Sequence, residues 1–180
     1  ALGQGSSVKM ETQETMKIIA AGNIFTGTFE RDGMGGILTL GRNFECRPNK
    51  LKGYYKYTSA KVSVSKGHLN EGEDDLCSLY IALTDEQITV NTNKGIYFDP
   101  NSSAVIAYGS ISDEESKGAD SFKEFTVDLE YKDLKRIPKY IIVVASSSKY
   151  GDYMEGGKGS TMWLDDLELV YPKSMEEVRK

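Results

Sequence analysis

Strict alternation of apolar and polar positions, with a period of two residues, runs through most of the chain. In "EFTVDLEYK", Phe125, Val127, Leu129 and Tyr131 alternate with Thr126, Asp128, Glu130 and Lys132, the pattern of a half-buried β-strand. "CSLYIALTD" repeats it, with Cys77, Leu79, Ile81 and Leu83 set against Ser78, Tyr80 and Ala82. "KYIIVVASSS" is apolar without a break, which predicts a central strand covered on both faces. Further strands are predicted in "VKMETQETMKIIAAGNIFTGTF" (interrupted at "AAGN"), "GGILTLG", "GYYKYTSAKVSVSKG" and "SAVIAYGSI". Glycine, proline and polar clusters separate them. "NEGEDD" and "ISDEESKGADS" read as loops, and "RDGMGG" as a turn, because no helix follows it as a phosphate loop would require.

Nothing carries a helical period beyond two turns. About eight to ten short strands predict an all-β fold, two antiparallel sheets packed as a β-sandwich. Residues 1–14 read as a flexible lead-in and the start of the first strand, 15–172 as one domain, and 173–180 as a tail in which "KSMEEVRK" forms a frayed helical turn.

The final strand, "TMWLDDLELVY", raises a problem. Alternation puts Trp163, Asp165, Leu167, Leu169 and Tyr171 on one face. This predicts Trp163 in the core and Asp165 among apolar neighbours. A buried carboxylate must be held by hydrogen bonds, a cation or a metal, or else take up a proton. Backbone donors, a lysine or a hard cation such as Ca²⁺ would each satisfy it.

Composition narrows the function classes. The 180 residues carry a net charge of −5 with no cluster of Lys and Arg, which argues against nucleic acid and anionic membranes as partners. No apolar run is long enough for a membrane helix, so no transmembrane segment is expected. Cys46 and Cys77 form no metal-binding pattern and read as two free thiols, Cys77 as a core residue. The single histidine, His68, lies in the polar stretch "SKGHLNEGEDD" and reads as a solvated loop residue. No nucleophile elbow, zinc-protease motif or P-loop is present. The acidic run Glu71–Asp75 and the pair Asp152 and Glu155 read as solvated loop faces. Tyr150 and Tyr153 flank Asp152 in a glycine-rich loop, where a tyrosine has little reason to be buried. In "GYYKYT", Tyr55 and Tyr57 share one face, Tyr54 and Lys56 the other, so that one pair is core and one is outward.

Two resemblances gather these residues. The ending "W-L-D-D-L-E-L" is similar to the closing strand of jelly-roll carbohydrate-binding modules, in which the first aspartate holds a structural Ca²⁺ together with the glutamate of a "G-x-F-E" motif. "TGTFE" would supply that partner, so the resemblance implies a calcium pair of Asp165 and Glu30. The second spans about residues 15–172 through "GNIFTGTF", "LTLGRNFECRP", "LKGYYKYT", "LYIALTD", "AVIAYG" and "FTVDLEY". It ends with "KYIIVVASSSKYGDYMEGGKGSTMWLDDLELVY". Together these resemble the putative carbohydrate metabolism domain of Bacteroidetes cell-envelope lipoproteins, and "ASSSKYGDYMEGGKGS" is the most specific part. The resemblance implies a jelly roll lying outside the cytoplasm, at the cell surface or in the periplasm. It would be lipid-anchored in the full protein and joined to further domains.

The expected activity is non-catalytic glycan binding. Aromatic rings would stack on sugar C–H faces and polar groups would take the hydroxyls, with Tyr54, Lys56, Tyr150, Asp152 and Tyr153 as contacts. Two alternatives stand beside it: a glycoside hydrolase using paired carboxylates, and a structural or adhesin-like interaction domain.

Overall fold

The computed structural model describes residues 5–33 and 35–173. The described chain begins with β1 (Val8–Glu11), then a small hairpin of β2 (Gln13–Thr15) and β3 (Ile18–Ala20). Strand β4 (Asn23–Phe25) leads into the hairpin β5 (Gly27–Asp32) and β6 (Gly35–Leu40), followed by β7 (Arg42–Asn43) and β8 (Lys50–Thr58). A long loop precedes β9 (Ser78–Thr84), β10 (Ile88–Asn91) and β11 (Val105–Ser110). The four-residue helix α1 (Asp113–Ser116), begun by a Ser112–Glu115 capping box, opens β12 (Ala119–Asp128). The chain then forms β13 (Glu130–Tyr131), β14 (Tyr140–Ser146) and β15 (Thr161–Val170).

Strands β1-β15-β8-β12 form one antiparallel sheet, and β13-β11-β9-β14-β4 with β7 form a six-stranded one. Successive long strands cross between the two: β8 to β9, β11 to β12, β12 to β14, β14 to β15. This is a jelly-roll sandwich, as the strand pattern and the resemblance anticipate. The core between the sheets holds Leu79, Ile81 and Leu83 of β9 against Tyr55, Phe125 and Met162. Tyr55 and Tyr57 are the core pair of β8, and Tyr54 and Lys56 point outward.

A third sheet, β10-β6-β5, covers part of the other face of the six-stranded sheet. It packs Leu40 and Val90 on Ala82 and Ile142. That second cover explains the unbroken apolar run of β14: Ile141 and Ala145 face the main core, Ile142 the smaller one. The two-sheet expectation is therefore extended by one layer.

Strand β1 lies in the stretch read as the start of the first strand; its Met10 lies in the core, and Thr12 just after it is fully buried. One further expectation is corrected. Trp163 is not core. In β15 it is Met162 and Leu164 that face inward, and Trp163 lies half-buried on the outer face. There it sits between Lys9, with Nζ 5.9 Å from its ring centroid, and Lys56, at 4.9 Å. The reason is a β-bulge: Asp165 pairs with Tyr54 but Glu168 pairs with Lys52, and Asp166 takes a left-handed φ of 51°. One extra residue reverses the facing of everything after it, so Leu169 reaches the core although Trp163, of the same parity, does not. The expected helical turn after Lys173 falls on residues 174–180, outside those described.

Candidate functional site

The glycine-rich stretch after β14 is held from beneath by buried polar groups. Asp75 is fully buried and accepts Ser148 Oγ–H at 2.6 Å, Gly157 N–H at 2.8 Å and Leu76 N–H at 2.8 Å. Burial pushes its carboxyl pKa up, and the donors only partly offset this. Ser148 spends its proton on Asp75, so Thr12 Oγ1, at 2.6 Å, donates to Ser148 Oγ. Thr12 also lies 2.8 Å from Ser147 Oγ, and the Tyr57 hydroxyl donates to the Ser147 carbonyl at 3.1 Å.

Glu155, with no side-chain exposure, forms the second anchor. Its carboxylate accepts the N–H groups of Lys66 (2.8 Å), His68 (3.2 Å) and Leu69 (2.5 Å), together with His68 Nδ1–H (3.0 Å). Burial raises its pKa, but only a thin loop encloses it, and the donors win: the pKa is lowered. The solvated reading is thus corrected for Asp75 and Glu155, while His68 stays exposed in its loop. His68 is held by Glu155 and stacked 4.3 Å from Tyr150 at 17°. It also meets Tyr153 at 4.3 Å, and Tyr153 in turn stacks on Tyr97 at 3.9 Å.

So pinned, the loop makes a 3₁₀ turn, Gly151–Tyr153, closed by Met154 in a left-handed conformation. Only glycine fits at 151, because a Cβ there would come within 2.3 Å of Ala21 Cβ. The turn delivers Asp152 to the uncovered part of the six-stranded sheet's outer face. Asp152 borders three cavities. The largest, about 380 Å³, is walled by Tyr80, Tyr97, Phe98, Tyr108 and Tyr153. A second, about 360 Å³, runs over Phe25, Phe29 and Leu38, and the third, about 60 Å³, lies over Ser78, Ser146 and Ser148. Tyr80 stacks on Phe98 at 5.0 Å and 15°, so the larger wall is rigid.

Asp152 makes no hydrogen bond or ion pair among the described residues. Its side chain meets solvent along the groove, while protein crowds it on the remaining sides and pushes its pKa up. Burial, reinforced by the Asp152 charge, raises the Tyr80 phenol; burial, Tyr97 and Asp152 together raise that of Tyr153. An open carboxylate beside two phenols, between flat rings, is equipped to take hydrogen-bond donors and to lie against apolar faces.

Of the expected contacts, the structure brings together Tyr150, Asp152 and Tyr153. Tyr54 and Lys56 lie elsewhere, on the outer face of the four-stranded sheet, paired with Asp165 and Trp163. The carboxylates expected to share calcium do not meet. Glu30 is on β5 of the third sheet and Asp165 on β15 of the first, with the six-stranded sheet between them. Asp165 Oδ1 accepts the Asp166 N–H at 3.0 Å. No group of three His, Cys, Asp or Glu side chains suited to a metal forms among the described residues. Tyr80, Tyr97, Phe98 and Tyr108 were not anticipated. The available signal was Tyr80, set on the non-core side of a clean strand pattern, and "IYF" in a turn-rich loop.

Residues 2–170 match the model of the putative carbohydrate metabolism domain. The chain belongs to this family. A putative glycoside hydrolase from Bacteroides thetaiotaomicron superposes with a TM-score of 0.77 at 25% identity, over 96% of this chain and 55% of its own. One from Bacteroides vulgatus superposes with a TM-score of 0.73 at 24% identity, over 93% and 74%. The chain thus spans little more than half the length of the first of these proteins. A carbohydrate-binding module of the β-sandwich superfamily aligns at 13% identity with a TM-score of 0.38, too loosely to carry an argument. No curated protein matches the chain in sequence. The molecule is a carbohydrate-related β-sandwich domain with the fold that the resemblance implied.

Proposed function

We propose that this domain binds glycans without cleaving them and that the groove around Asp152 is the binding site. One observation carries the reading: an open, unpartnered carboxylate set between the Tyr80 and Tyr153 phenols in a groove walled by stacked aromatic rings. Sugar C–H faces would lie on the side of Tyr97 turned away from Tyr153, and hydroxyls would donate to Asp152. Hydrolysis is the second reading, supported by the likeness to the putative glycoside hydrolase of Bacteroides thetaiotaomicron and by the raised pKa of Asp152, as a general acid requires. It needs a second carboxylate. The other one lining this cavity, Asp113, is 94% exposed and paired with Lys149 at 3.1 Å, a poor base or nucleophile. In the same reading the domain belongs to an exported, lipid-anchored envelope protein with further domains.

The test is equilibrium binding to a glycan array, followed by calorimetry on any hit. Tyr97→Ala should weaken binding roughly tenfold or more, the effect of losing one stacking ring and its hydroxyl. Absence of binding to every glycan by a folded wild type would overturn the reading, and release of reducing ends from a bound glycan would move it to hydrolysis. Fractionation of cells expressing the full-length protein tests the envelope placement.

A further inference from the structure

We propose that the sugar held in this groove carries a free amine, as a 2-amino-2-deoxy sugar without N-acetylation does; this rests on the glycan-binding reading. The charges lining the groove lead to it. The 380 Å³ cavity of the groove is lined by Asp113, Lys149 and Asp152 as its charged groups. Lys149 and Asp113 cancel, with Nζ and Oδ1 3.1 Å apart. Along the second cavity Asp152 is the charged side chain among the lining residues. The groove therefore presents one negative charge that no cation of the described residues matches.

A neutral hydroxyl would give Asp152 a hydrogen bond but leave the charge unmatched. A protonated amine gives a charge-assisted bond, and the aromatic wall of the cavity that Asp152 lines favours a cation over a neutral group. An acetamido group would forfeit the charge, and a uronic acid would be repelled. The lysine-rich outer face around Trp163 offers no rival site of this kind, since its lysines are cations already lying against that ring.

The experiment compares three glycans of one linkage and length, differing at carbon 2 in bearing amine, acetamide or hydroxyl, for each backbone on the array. The amine form should bind roughly tenfold tighter or more than the other two, the difference between a charge-assisted and a neutral hydrogen bond. In Asp152→Asn the ratio of amine to hydroxyl affinity should fall to near one. High salt should shrink the wild-type ratio without any substitution. Should the amine form bind no tighter than its acetylated counterpart, or should Asp152→Asn or salt leave the ratio unchanged, the inference fails while the binding reading survives. If no glycan of any class binds, both fail.

Discussion

Replacing Glu155 by Gln tests the architecture beneath the groove. The substitution keeps the shape but leaves one carbonyl oxygen. Placed where Oε2 now sits, that oxygen can still accept Lys66 N–H and the two His68 donors. The amide nitrogen then faces Leu69 N–H, donor against donor, where Oε1 now accepts at 2.5 Å. Loss of charge assistance costs roughly 1 kcal/mol at each retained bond, and a stranded N–H costs about 1–3 kcal/mol. These terms sum to about 4–6 kcal/mol, but residues 66–69 form an outer loop within reach of water, which can replace much of the loss, so about 2–3 kcal/mol is expected. For a chain of this size it corresponds to a fall in Tm of roughly 5–10 °C.

The pH dependence gives a second readout. The donors hold the Glu155 pKa below its ordinary 4.5 despite burial. A carboxyl with a lowered folded-state pKa stabilises fully above its unfolded-state pKa, and that stability is lost as pH falls through the folded value. The gap in Tm between wild type and Glu155→Gln should therefore be complete at neutral pH and close below about pH 4.5 as the wild-type carboxylate protonates. Thermal melts followed by circular dichroism measure both. A gap under roughly 1 °C at neutral pH, or one that persists unchanged in acid, would refute the anchoring role.

Other outcomes are equally specific. Gly156→Ala would set a Cβ 2.6 Å from Ser148 Oγ and 3.2 Å from Asp75 Oδ2, so it should cost about 1–3 kcal/mol in urea unfolding. Cys46 is exposed, while Cys77 is buried with its thiol pKa pushed up to about 12, so Ellman's reagent should titrate one thiol in the native protein and two in denaturant. Trp163, the single tryptophan, is half-exposed, so acrylamide should quench its emission in the folded protein nearly as well as in urea.

The sheets were legible because β9 and β12 carry a period that admits one reading and β14 an unbroken apolar run, and burial follows both. What escaped was whatever a period cannot encode. The bulge at Asp165–Glu168 leaves no mark in the sequence, since Asp166 in a left-handed conformation looks like any strand aspartate; it therefore misassigned Trp163 and Asp165 together. Asp75, Glu155 and His68 sat in polar loops, where solvent is the default partner, and only tertiary closure showed that they partner backbone N–H groups and one another's loops. Asp152 and its flanking tyrosines were legible as exposed groups in a glycine-rich loop. The wall opposite them was not, because Tyr80 and Tyr108 come from strands and Tyr97 and Phe98 from a loop far away in the chain.

Strand β1 pairs with β15 through only four residue pairs, Val8 with Leu164 to Glu11 with Thr161, and β15 then runs on to Val170. Both ends of the described chain consequently leave from the same end of the sheet. A force applied between them loads these strands as a zipper, one pair at a time, rather than in shear. After the fourth pair it reaches Thr12, whose hydroxyl lies on Ser147 and Ser148, and through Ser148 it reaches Asp75 and Gly157. Tension would thus slacken the loop that carries Asp152 once β1 and its Met10 had left, while the rest of the core still held, making the proposed binding groove the first casualty of a mechanical pull.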